Sequence, residues 1–250
     1  MSTDSAIFRL ILPITVILSA FSCQTAGPAQ AIVDQSIAAH GGKALESSVI
    51  SFDFRDRHYQ IFKSSQAFEY IREFADSTGQ VRDVLDNTGF ARTINGTPAT
   101  VTEERAAAFS RSVNSVAYFA FLPYGLNDPA AKKTLVGESE LDGKKYHLIR
   151  VTFSQEGGGE DHEDVFLYWI NQKTKRLDFF AYSYLTDGGG VRFRKATKTH
   201  DVGGLVLQDY ENYGLESKET PVEEMESLYK SGKLELLSTI ALENVRVVKR

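Results

Sequence analysis

The sequence predicts an α+β protein dominated by a strongly curved antiparallel sheet of roughly nine to eleven strands. Three observations predict it. Short runs of alternating apolar and polar residues follow one another, bounded by Gly, Asn, Asp and Ser. One amphipathic segment opens the series and another interrupts it, both at helical spacing. In "HEDVFLYWINQKTKRLDFFAYSY" both faces of the strands are apolar or amphipathic, so something must cover each face. Sequential strands in this number curl or close, which removes exposed edges.

The composition, 42% hydrophobic and 24% charged over 250 residues, belongs to a folded chain rather than a disordered one. A formal charge of −5 and the lack of a Lys/Arg cluster argue against a nucleic-acid partner. The single cysteine, Cys23, excludes an internal disulfide. It closes "AIFRLILPITVILSAFSC", in which Arg9 precedes the apolar run Leu10 to Phe21. That run is too short, and too broken by Pro13, to be a good membrane span, and it reads as a secretory signal. A cysteine directly after the hydrophobic stretch resembles the bacterial lipobox, in which it is lipidated and becomes the first mature residue. Ala20 stands where that motif usually has leucine, and the alternative is a plain signal peptide cut near Ala26 or Ala29. The expected division is a signal peptide at 1–22, a lipidated tether at 23–28 and one domain at 29–250. Gln24 resembles the outer-membrane class of lipoproteins, facing the periplasm.

The elements follow in order. Ala29, Ile32, Val33, Ser36, Ile37 and His40 fall at helical spacing, and Gly41 and Gly42 end that helix. His40 is read as a packed or dipole-pairing residue rather than a ligand. A meander begins with "VISFDFRDRHYQIF", "QAFEYIREF", "VRDVLDN" and "FARTING". It breaks at Thr102, a helix cap followed by Glu103 and Glu104 at the positive helix end. Phe109, Val113, Val116, Ala117 and Ala120 form its apolar stripe, and Pro123 stops it. Its end, "VAYFAFLPYG", is apolar nearly all round, so it is buried or covers a cavity. Strands resume at "YHLIRVTFS", "EDVFLYWIN", "RLDFFAYSYL", "GVRFRKATKTH" and "GLVLQDYENYG". Thr220-Pro221-Val222-Glu223 reads as a capping box opening a short helix to about Lys230. A strand pair, or one long strand, runs from Leu234 to Val248.

The hairpin "FLYWINQKTKRLDFFAY", with Trp169, Ile170, Asn171 and Thr174, resembles that of the LolA/LolB superfamily of lipoprotein carriers. The helix ending in "AHGG" and the lipobox fit lipoproteins related to that group. The longer pattern "SVNSVAYFAFLPYGLND", "GGGEDHEDVFLYWIN", "GGGVRFRKA" and "LQDYENYG" resembles an uncharacterised envelope lipoprotein family of Bacteroidota, which brings no established activity. The superfamily resemblance implies an incomplete β-barrel with helices over its concave face, closing a hydrophobic cavity for acyl chains.

Two kinds of site compete. Glu160, Asp161, His162, Glu163 and Asp164 offer carboxylates and one imidazole, but alternate residues of a strand diverge, and zinc wants more histidine or cysteine. "GGGEDH" lacks the lysine of a phosphate loop, and no G-x-S-x-G is present. The bland reading is an acidic strand entrance, with no metal, no cofactor and no catalytic residue expected. Arg72, Asp83, Arg192, Arg194 and Asp209 interrupt apolar strands. They form a structural ion-pair set or a solvated edge, or one of the arginines meets a ligand carboxylate or phosphate while aromatics hold its chain. The expected ligand-binding set is Phe68, Tyr70, Tyr118, Phe119, Trp169, Phe180 and Tyr182, with Arg72 and Arg192. The expected function is a membrane-anchored envelope lipoprotein that binds a lipid or acyl ligand for carriage, chaperoning or sensing. The alternatives are a metal-assisted hydrolase using Asp161, His162 and Asp164, and a scaffold protein of the envelope without a ligand.

Overall fold

A computed structural model of the chain describes residues 27–156 and 162–250. Cys23, the signal segment and Glu160–Asp161 of the acidic cluster lie outside the described residues. The fold is an α+β incomplete barrel of two antiparallel sheets, each of seven strands. The first meander is β1 (Ser48–Phe54), β2 (Arg57–Lys63), β3 (Phe68–Asp76), β4 (Gly79–Asp86), β5 (Gly89–Ile94) and β6 (Thr97–Pro98). The second is β7 (Ala131–Leu141), β8 (Lys144–Phe153), β9 (Val165–Asn171), β10 (Leu177–Tyr184), β11 (Gly190–Val202) and β12 (Leu205–Gly214). The chain then adds β13 (Glu235–Ile240) beside β12 and β14 (Glu243–Lys249) beside β1.

Fourteen strands exceed the nine to eleven expected. The clearest omission is β7, "AKKTLVGESEL". Only its two end residues are buried, and the residues between alternate exposed and half-buried. Lys and Glu along an outer strand discourage pairing with another chain, and they also erase the apolar alternation by which a strand is recognised. The segment from Leu234 to Val248 is two strands in different sheets. Between them Ala241 and Leu242 turn a corner, held by Asp209. Its Oδ1 accepts from the Leu242 amide at 2.9 Å and lies 2.7 Å from His200 Nε2. Asp209 is thus a structural anchor: buried among apolar strands, its carboxylate ties down the corner where the chain returns from the second sheet to the first.

Helices occupy the concavity. α1 (Pro28–Ala39) buries Ala29, Val33 and Ile37 against β7 and β9. It ends at His40, and Gly41 follows in the left-handed region at φ 110°. A Cβ on Gly41 would sit 2.8 Å from the Gly204 carbonyl, so glycine both caps the helix and lets it approach the β11–β12 turn. α2 (Glu103–Ala120) is capped by Thr102, whose side chain accepts from the Arg105 amide. It sets Val113 and Ala117 on the first sheet beside Phe52, Ile61 and Tyr70. Outside the barrel, α3 (Met225–Lys230) covers the second sheet through Met225, with Val222 just before it, against Leu167, Trp169, Phe179 and Phe193. The expected capping box does not form. Pro221 is the cap residue, with no side-chain bond, and Glu223 pairs with Arg150 instead.

Candidate functional site

Along β9 the period of two sends Phe166, Tyr168 and Ile170 into the concavity, and Leu167 and Trp169 to the outer face. Phe180 and Tyr182 of β10 lie on the inner face beside them. α2 then lays Tyr118 and Phe119 over these rings. Phe119 stacks on Phe180 at 5.6 Å and meets Tyr182 at 5.2 Å. Phe166 stacks on Tyr182 at 5.2 Å and on Tyr168 at 5.7 Å. Tyr118 and Tyr168 share a hydroxyl–hydroxyl bond of 2.9 Å, which joins the helix to the sheet.

Between this aromatic wall and the corner strands lies a cavity of about 440 Å³. That is room for one drug-sized ligand. Phe52, Phe54, Ile240 and Leu242 close it towards the first sheet and the corner. Tyr118, Phe119, Phe166, Tyr182, Tyr184 and Tyr210 supply the aromatic side. Asn114, Ser115, Gln208, Asn212 and Ser238 supply polar groups, and Arg55, Arg111, Asp164 and Arg194 supply charges. No histidine or cysteine lines it. Burial pushes the Tyr118, Tyr168 and Tyr210 hydroxyls up from their ordinary value, so they stay protonated and act only as hydrogen-bonding groups.

Several of the expected residues sit elsewhere. Trp169 is on the outer face under α3, donating from Nε1 to Glu226 Oε2 at 2.9 Å. Its neighbour Tyr168 takes the inner side because a strand alternates. Phe68 and Tyr70 pack on one another at 4.9 Å, and Tyr70 on Phe121, beneath the end of α2 rather than around the cavity. Phe180 is fully buried behind Phe119. Arg192 lies beside the cavity rim, with its guanidinium 5.4 Å from the Tyr184 ring. Arg72 is sealed under α2. It holds Asp83 from Nε at 2.9 Å and from Nη2 at 2.6 Å, and donates from Nη1 to Ser112. Arg92 completes the cluster on Asp83 Oδ1 at 2.6 Å. Tyr118, Phe119 and Tyr182 do line the cavity. Phe166 carried a legible signal, since it shares a strand face with Asp164 and Tyr168. Tyr210 carried none without the strand register.

Among the described residues, no three His, Cys, Asp or Glu side chains converge as a metal site needs. Asp161 lies outside those residues, and Asp164 stands at the cavity wall. Also among the described residues, no helix is long and apolar enough to cross a membrane.

Arg194 differs from every other buried arginine here. It is 9% exposed, and no carboxylate among the described residues pairs with it. Nη2 donates to the Tyr182 hydroxyl at 3.0 Å, while Nε is enclosed without an acceptor. Its guanidinium lies 4.0 Å from the Phe119 ring centre and 5.4 Å from those of Phe180 and Tyr182. Each such ring contact contributes about 0.5–2 kcal/mol. Taking a cation out of water costs several kcal/mol, so the rings offset it only in part.

An open antiparallel arc of two sheets with helices in its hollow is the fold of the LolA superfamily. A LolA superfamily protein from Nitrosomonas europaea shares it, with a TM-score of 0.50 at 11% identity over 90% of this chain and 93% of that one. The chain belongs to DUF6503, a family of unknown function whose sequence model matches residues 6–243. Two further solved structures show similarity. A DUF1329 family protein from Desulfovibrio piger has a TM-score of 0.46 at 12% identity, covering 88% of this chain and 93% of that one. The lipoprotein LppX from Mycobacterium tuberculosis has a TM-score of 0.28 at 14% identity, covering 64% and 88%. Among curated proteins, none matches this chain in sequence.

Proposed function

We propose that this protein is an envelope lipoprotein that holds a lipid or acyl ligand between its half-barrel and α2, for carriage, chaperoning or sensing. The observation that carries the reading is the cavity itself, roofed by Tyr118 and Phe119 and walled by Phe166, Tyr182 and Tyr210. Burying a chain there contributes about 0.8 kcal/mol per methylene, which gives affinity without any catalytic group. The LolA-type fold supports the same reading. In this proposal residues 1–22 are removed, Cys23 is lipidated, and 23–28 tether a single domain to the outer membrane, facing the periplasm. Tyr118, Phe119 and Tyr182 contact the ligand directly, Phe180 backs them, and Arg192 stands at the rim.

Native mass spectrometry of the gently purified full chain, with lipid extraction and metal analysis of the same sample, tests it. A stoichiometric lipid is the expected result. A stoichiometric metal without lipid would overturn the reading in favour of Asp161, His162 and Asp164. Finding neither would favour a scaffold. Palmitate labelling tests the anchor: a Cys23→Ser chain should lose the label, and an undiminished label would reject lipidation at that residue.

A further inference from the structure

We infer that Arg194 is the head-group anchor of the cavity, and that the ligand is a single-chain amphiphile with an anionic head, a carboxylate or a phosphate. This rests on the reading of the cavity as a lipid site. Tyr168, Phe180, Arg194, Asn212 and Ser238 stand opposite one another in a row across β9 to β13. Arg194, Asn212 and Ser238 of this row line the cavity, while Tyr168 and Phe180 are buried in the core beside them. Two neighbours in this row each keep a polar atom without a partner among the described residues. Arg194 Nε has no acceptor, and Asn212 Oδ1 has no donor, although Asn212 Nδ2 donates to Ser238 Oγ at 3.2 Å. Turning the amide round still leaves one polar atom of Asn212 unpartnered.

Buried polar groups are nearly always paired, and a buried cation most of all. The same molecule follows that rule at Arg72, whose charge is met by Asp83. At Arg194 the missing partner is an anion, and the residue lines the cavity. Nε and Nη2 form the flat edge of the guanidinium that grips two oxygens at once. The Tyr182 hydroxyl, accepting from Nη2, has its own proton to donate to the same head. Phe119, stacked on the guanidinium, also borders the chain-binding space. Head recognition and chain burial thus meet at one helix residue.

The test is calorimetric titration of the purified, delipidated full chain with three ligands of one chain length: hexadecanoate, hexadecyl phosphate and hexadecanol. The wild type should bind at least one anion about tenfold or more tighter than the alcohol, the gain of one charge-assisted bond. Arg194→Gln should abolish that preference, so that the anions bind no tighter than hexadecanol. Asn212→Asp, which sets a carboxylate opposite Arg194 in the ladder, should abolish it too, and serves if the first variant does not fold. Comparing the two anions separates carboxylate from phosphate recognition. Equal binding of anion and alcohol by the wild type, or an undiminished preference in both variants, overturns the inference while leaving a lipid cavity intact. Binding of none of the three overturns the cavity reading itself. Inorganic phosphate should not compete with hexadecyl phosphate at matched concentration, and competition would make the ligand a free anion rather than an amphiphile.

Discussion

The two halves of the concave face, roofed by the same helix, solve the burial of arginine in opposite ways. On the first sheet, Arg72, Asp83 and Arg92 form a closed cluster, with Asp83 fully enclosed and Ser112 of α2 accepting from Arg72 Nη1. On the second sheet, Arg194 has aromatic rings and one hydroxyl, and an empty space beside it. The first half is a finished core. The second leaves Arg194 Nε and Asn212 Oδ1 without partners among the described residues, as the proposed head-group site requires. The difference teaches that a buried charge marks function by its missing partner, not by its burial.

The comparison can be broken most forcefully at Asp83. Asp83→Asn leaves two guanidinium groups crowded without a counter-charge, and should lower unfolding free energy by about 3–5 kcal/mol in urea titration. A loss below about 1 kcal/mol would mean that water already screens the cluster, and the contrast with Arg194 would lapse. His40 offers the next largest effect. Burial, aided by the charge of Arg176, pushes its imidazole down to about 4, and Nε2 accepts from the Leu177 amide at 3.2 Å. The unfolded chain therefore binds a proton at a higher pH than the folded one. Stability is full above about pH 6.5 and falls as pH drops towards 4, by up to about 3 kcal/mol. Urea midpoints across that range should decline in the wild type and flatten in His40→Gln. Tyr118→Phe strips the enclosed Tyr168 hydroxyl of its partner and should cost about 1–2 kcal/mol. An unchanged midpoint would show that the helix is held to the second sheet by packing alone. Arg194→Met should have the smallest effect, and of opposite sign: without ligand, stability is unchanged or rises by up to about 2 kcal/mol. A loss as large as that of Asp83→Asn would show that Arg194 belongs to the core after all.

Much of this architecture was legible from residue patterns. Thr102 caps α2 and Gly41 closes α1 because capping chemistry is local. The face assignment along β9 follows from alternation alone, which separates Tyr168 from Trp169. What stayed hidden depends on register and on distant neighbours. Arg72 and Arg194 look alike in sequence, each a cation close to an aromatic residue on a strand, Tyr70 and Phe74 for the first and Phe193 for the second. Only the pairing of β3 with β4 brings Asp83 to Arg72. Only the pairing of β11 with β12 sets a neutral amide, Asn212, against Arg194. Trp169 invited a cavity role by its size, yet its indole nitrogen found Glu226, 57 residues away. The break between β13 and β14 had no turn signal, because Asp209 of another strand supplies the bond that bends the chain there.

That corner also sets an order of assembly. β14 completes the first sheet by lying against β1, and Asn244 reaches Asp53 across 191 residues of sequence. On the ribosome, β1 emerges before β2 to β13 and waits, one edge bare, until β14 has been made. Pairing between segments so far apart is slow, and a bare edge in the meantime is an invitation to the wrong partner. The cavity shares this delay, since Leu242 at the corner forms part of its wall. The wall of the cavity is therefore complete only once this corner has folded against Asp209.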